Sequence, residues 1–178
     1  MTHLPVKIDD PILTVFFDRL YGIFADMDRQ YAEAAKHYGF HCSGCEDNCC
    51  RTRFFHHTYL EFLYIHAGLN TLDLPRRQEI KSRAAWVCRE TAKADQQQRP
   101  ARVMCPLNSD GLCMLYAYRP MICRLHGISH ELRKPGQNVI HGSGCGMFDR
   151  RCSNQKYRKF DRTPFYYAMA KVESEFKQ

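Results

Sequence analysis

Near the start of the chain, apolar residues recur three and four positions apart. Leu13, Phe16, Phe17, Leu20, Phe24, Met27 and Tyr31 fall on one face of a helix, and Asp18, Arg19, Asp26, Asp28 and Arg29 take the other. Asp10-Pro11 supplies the start: a side chain that accepts backbone N–H groups, then a residue whose fixed φ suits the first helical position. This helix is expected to end near Gly39. A second amphipathic stretch opens at Thr58-Tyr59-Leu60-Glu61, the spacing at which a hydroxyl and a carboxylate each bind the other's backbone N–H. Leu60, Leu63, Tyr64 and Ala67 form its buried stripe, with a stop at Gly68. Glu61 stands close in sequence to several cysteines and invites a reading as a catalytic acid. The capping spacing already gives its carboxylate a backbone partner, so the cap is the better reading.

A third helix is predicted from Asp73, with Ile80, Ala84, Val87, Cys88 and Thr91 on its inner face. It should stop before Pro100, because a residue preceding proline is pushed out of the α region. Thr163-Pro164 opens a last helix through Phe165, Tyr166, Met169, Val172 and Phe176. Between them, Met104 to Leu115 reads as a hairpin turning at Asp110-Gly111, which would bring Cys105 and Cys113 together. No repeat or long linker divides residues 1–178. The pattern therefore predicts one mainly α domain, a small helical fold with cysteine-rich loops and a short β-hairpin.

With 178 residues, 44% of them apolar, the chain can build a core without disulfide staples, so its ten cysteines need a chemical explanation. Cys42, Cys45, Cys49 and Cys50 crowd one turn-rich stretch, Cys105, Cys113 and Cys123 form a second group, and Cys145 and Cys152 a looser third. The N-terminal residues lack the apolar core of a signal peptide, and no run approaches the roughly 18 apolar residues of a membrane span. A cytoplasmic protein is expected, and in a reducing compartment clustered thiols are metal ligands or redox groups rather than disulfides. Cys42-Ser43-Gly44-Cys45 has the spacing of a thioredoxin-like pair, but it follows a helix instead of a strand and two more cysteines crowd it. All nine are candidate metal ligands. Cys88 is the exception, alone on a regular helix, where a buried inert thiol is expected.

Thiolates are soft ligands that suit zinc and iron, including iron–sulfur clusters. Nine candidates exceed one mononuclear site, and adjacent Cys49 and Cys50 would point in different directions on an extended backbone. His126, His130 and His141 could add nitrogen ligands, although polar or capping roles are the better reading. The formal charge of +7 first suggests an anionic partner, yet eight thiolates holding two divalent ions would lower it to about +3. Arg51, Arg53, Arg119 and Arg124 adjoin ligand candidates and could donate to thiolates. The segment from Asp149 to Arg162, with six basic and two acidic residues, is read as a solvated face, not a nucleic-acid surface. Phosphate-loop, nucleophile-elbow and His-Glu-x-x-His motifs are absent.

The tight cluster, then Cys105-Pro106 with an Asp-Gly turn and Cys113, then Tyr116-Ala117-Tyr118-Arg119-Pro120-Met121-Ile122-Cys123-Arg124, resembles the YkgJ-type family of zinc- or iron-chelating domains. The likeness covers roughly Cys42 to Cys123, under half of the chain. It implies a cytoplasmic bacterial metal-chelating protein, with a counterpart of the domain in flagellin lysine N-methylases. The implied ligands are Cys42, Cys45, Cys49, Cys50, Cys105, Cys113 and Cys123. One departure is Glu46-Asp47-Asn48, three residues before the paired cysteines where the family's cluster has two. Three functions follow as expectations: a metal-binding protein, a metal-cluster enzyme that modifies a protein or RNA, or a metal-stabilised module that docks a protein partner. An open coordination position would mark the enzyme, and full protein ligation a structural role.

Overall fold

The computed structural model describes residues 10–42 and 49–178, apart from the side chain of Cys49. Helix α1 (Pro11–His37) starts as its sequence predicts, with Asp10 Oδ1 accepting the N–H groups of Ile12 at 2.9 Å and Leu13 at 3.0 Å. Phe17, Leu20, Phe24 and Met27 are sealed from solvent along its inner face. Gly39, at φ +57°, turns the chain out of the helix in the left-handed conformation that glycine tolerates best.

Helix α2 (Tyr59–Asn70) carries the complete Thr58/Glu61 capping box. It runs past Gly68 instead of stopping there. A Cβ at Gly68 would lie 2.5 Å from the Tyr118 ring, so the glycine admits that ring against the helix and does not end it. Helix α3 (Leu74–Gln96) begins at Asp73, whose Oδ1 accepts the Arg76 N–H at 2.9 Å. Only Ile80 and Ala94 of α3 are buried. Cys88 is exposed, which corrects the expectation of a buried thiol. The physical reason is that no other described element packs extensively along α3, so its weak apolar stripe stays uncovered.

Helix α1 packs on α6 (Thr163–Phe176) and on the short α4 (Met121–Arg124), while α2 packs on α6 and on a 3-10 turn at Tyr116–Tyr118. Tyr64 sits at the centre. Its ring meets Phe17 at 5.2 Å, Phe24 at 5.6 Å and Tyr118 at 5.0 Å between centroids, the first two edge to face.

Strands β1 (Asn108–Ser109) and β2 (Leu112–Cys113) form the expected hairpin, pairing Asn108 with Cys113 and Ser109 with Leu112. Asp110 at φ +50° and Gly111 at φ +86° make the tight turn. A second hairpin, β3 (His130–Leu132) with β4 (Ile140–Gly142), and a short helix α5 (Gly146–Cys152) occupy a stretch where the pattern predicts no element. Strands of three residues are too short to print a period on the sequence. The Glu131 backbone then pairs with the chain entering α6, through Phe160 O at 2.8 Å and the Arg162 N–H at 3.0 Å. Among the described residues, no helix is long and apolar enough to cross a membrane.

Candidate metal centre

Three separate segments bring thiols near one another. Cys50 lies in a 3-10 turn (Cys49–Arg51), and its carbonyl accepts the Cys105 N–H at 2.8 Å, which joins the cluster segment to the hairpin approach. Cys113 is carried on β2 opposite Asn108, and the hairpin closes by Asn108 N–H to Cys105 O at 3.0 Å and Met114 N–H to Leu107 O at 2.9 Å. Cys123 sits on α4, where Pro120 O accepts its N–H at 3.0 Å.

These four thiols share one electrostatic neighbourhood. Burial raises the Cys105 thiol above its ordinary range, the Leu107 amide opposes that shift, and Cys50 and Cys113 reinforce it. Burial likewise raises Cys113, with the Leu115 amide and Arg119 opposing and Cys50 reinforcing. Cys123 is pushed up to about 12, by burial first and then by Cys105, Cys113 and Cys50. In both Cys105-Pro106-Leu107 and Cys113-Met114-Leu115 the amide two residues on approaches the sulfur, a contact that favours the thiolate. An open cleft of about 260 Å³, between the start of α3 and the hairpin, is lined in part by Cys113.

The remaining described candidates lie elsewhere. Cys42 is exposed at the end of the α1 exit. The Cys145 N–H donates to Gly127 O at 2.8 Å, and its sulfur accepts the Phe148 N–H at 3.4 Å as the cap of α5. Cys42 and Cys145 both bear on the partly buried Tyr31 phenol, which desolvation holds well above its usual range. Cys152 is 4% exposed, with its sulfur 3.8 Å from the Tyr38 carbonyl. Cys45 and the Cys49 side chain lie outside the described residues. The cysteines whose side chains are described are free thiols. Among the described residues, no three His, Cys, Asp or Glu side chains stand at metal-ligand spacing.

The arginines divide in a way that neighbouring positions in sequence do not reveal. Arg124, 6% exposed, gives Nε to Arg119 O at 2.7 Å, Nη2 to Ala117 O at 2.5 Å and Nη1 to Asp28 at 2.5 Å, with Phe24 beneath it at 4.3 Å. That guanidinium is committed to the core face of α4. Arg53 pairs with Asp95 at 2.7 Å. Arg119 stacks 3.7 Å over the Tyr116 ring and still favours the charged forms of Cys113 and Cys123. Arg162, counted in the basic segment, is interior at 6% exposure and donates to the Leu125 and Ile128 carbonyls. His126 and His130 lie in its field, and burial followed by that charge lowers both, His130 to about 4.

Glu61 was legible only as a cap. Its second oxygen accepts the N–H of Met121, 60 positions away at 2.7 Å, on the helix that carries Cys123. No local sequence signal announces that bond.

No family model, curated protein or solved structure matches the chain.

Proposed function

We propose that the chain is a cytoplasmic metal-binding protein that holds zinc or iron through Cys50, Cys105, Cys113 and Cys123, with Cys45 and Cys49 of the cluster as further ligands. The observation that carries this reading is the gathering of four thiols from three segments into one field, where two of the sulfurs also receive backbone amides. Thiols so placed resist losing protons to water, and a soft cation that takes the place of those protons removes the mutual repulsion. Sulfur donors of this number suit zinc and iron and suit magnesium or calcium poorly. The motif likeness to YkgJ-type chelating domains points the same way, and free thiols suit a reducing compartment. Iron is favoured over zinc, since adjacent cysteines with irregular partners suit a cluster or polynuclear site better than the even pairs of a zinc ribbon.

Anaerobic purification, elemental analysis, a sulfide assay and an absorption spectrum test the proposal. A coloured protein with iron and sulfide is expected. Colourless protein with stoichiometric zinc would keep metal binding and overturn the iron preference, and a chain that takes up neither metal would overturn the proposal.

A further inference from the structure

Glu61 has 0% exposure, and among the described residues no ion pair reaches its carboxylate, whose two oxygens are met by hydrogen bonds. One oxygen, Oε2, accepts the N–H of His57 at 2.7 Å, the N–H of Thr58 at 3.0 Å and the Thr58 hydroxyl at 3.2 Å. These contacts include the capping box and hold the root of the segment that leads from Cys50 into α2. The other oxygen, Oε1, accepts the N–H of Met121 at 2.7 Å. Met121 opens α4, the turn in which Cys123 sits two residues further on. A cap requires only the first set. The bond to Met121 exceeds a capping role, because it ties a helix start to a chain segment 60 positions away.

Resting on the metal-binding reading, we propose that Glu61 is a positioning residue for the thiolate centre: one carboxylate that holds the Cys50-bearing and Cys123-bearing segments in register. Its geometry is suited to that work. Both segments are irregular or a single turn long, and the buried carboxylate fixes a backbone N–H at the root of each. A ligand held by such a partner meets the metal without reorganising first, which is how outer partners raise metal affinity.

Glu61→Gln keeps the size of the side chain but leaves one acceptor oxygen, so one of the two segments loses its anchor. Thr58→Ala is the control. It removes the hydroxyl that caps the Glu61 N–H at 3.1 Å and leaves the carboxylate bonds to His57, Thr58 and Met121 backbone in place. Zinc affinity of each folded protein, measured by competition with a chromophoric chelator, is expected to fall roughly 10–100-fold in Glu61→Gln. Thr58→Ala should lower the melting temperature of the metal-free protein and leave zinc affinity within about twofold. Equal affinity losses in the two variants, or parent-like affinity in Glu61→Gln, would overturn the inference while metal binding stands. If Glu61→Gln does not fold, amide exchange in the parent decides: zinc should slow exchange at both Met121 and Thr58, and unchanged protection at either amide would overturn the inference. A parent that binds neither zinc nor iron fails the metal reading and this inference together.

Discussion

Two groups of thiols in one molecule differ in what holds them and in what they do locally. Cys50, Cys105, Cys113 and Cys123 come from a 3-10 turn, the hairpin and α4 and stand near one another, and the ionisation of Cys105, Cys113 and Cys123 is suppressed by burial and by neighbouring sulfurs. Cys145 and Cys152 instead have local tasks: one caps α5 and the other fills the core beside the Tyr38 carbonyl. Burial raises the Cys152 thiol too, with Arg151 opposing and Cys145 reinforcing, so what separates the groups is the local task of each sulfur and not the presence of a sulfur neighbour.

Metal removal should break the comparison most sharply. At a metal concentration about a thousandfold above Kd, binding stabilises the fold by about 4 kcal/mol, so a chelator should lower the parent's unfolding free energy by about that amount. Cys123→Ser should melt at the same denaturant concentration with and without chelator. A chelator response equal to the parent's would place Cys123 outside the site.

A smaller effect separates the metal-free and loaded forms by pH. The Cys123 thiol is raised from 9.0 to about 12, so its contribution to the metal-free fold is complete below about 9 and is lost as pH rises towards 12. With metal bound the sulfur is already a thiolate, and the alkaline loss should vanish. Denaturant melts between pH 8 and about 11, with and without metal, check the sign.

Cys152→Ala tests the other group. It deletes one buried sulfur, and a loss of about 1 kcal/mol with unchanged metal content is expected. Loss of metal in that variant would join the two groups. Cys88→Ser should move stability by less than about 0.5 kcal/mol, since the residue lies exposed on α3.

The helical frame could be read directly from local rules: the Asp10 cap, the α1 stripe, the Thr58/Glu61 box, the Asp110-Gly111 turn and the Thr163 start all act within a few residues. The α3 face misled for a definite reason, because periodicity shows which side of a helix is apolar and not whether another element covers it. Cys88 was misplaced on that account. The candidate site was legible as a set of sulfurs, since loop cysteines at close spacing are distinctive. Its supports were not. The Glu61 bond to Met121, the Arg124 bonds to Asp28 and Ala117, and the interior position of Arg162 join residues far apart in sequence, and nothing in the composition around them marks the pairing.

The most direct test of the thiolate centre is metal content per chain on folded, anaerobically prepared protein, compared across the parent, Cys123→Ser and Cys152→Ser. The account predicts zinc or iron in the parent and in Cys152→Ser at equal stoichiometry, and a clear loss in Cys123→Ser. A parent without either metal, or equal metal in the parent and Cys123→Ser, would contradict it.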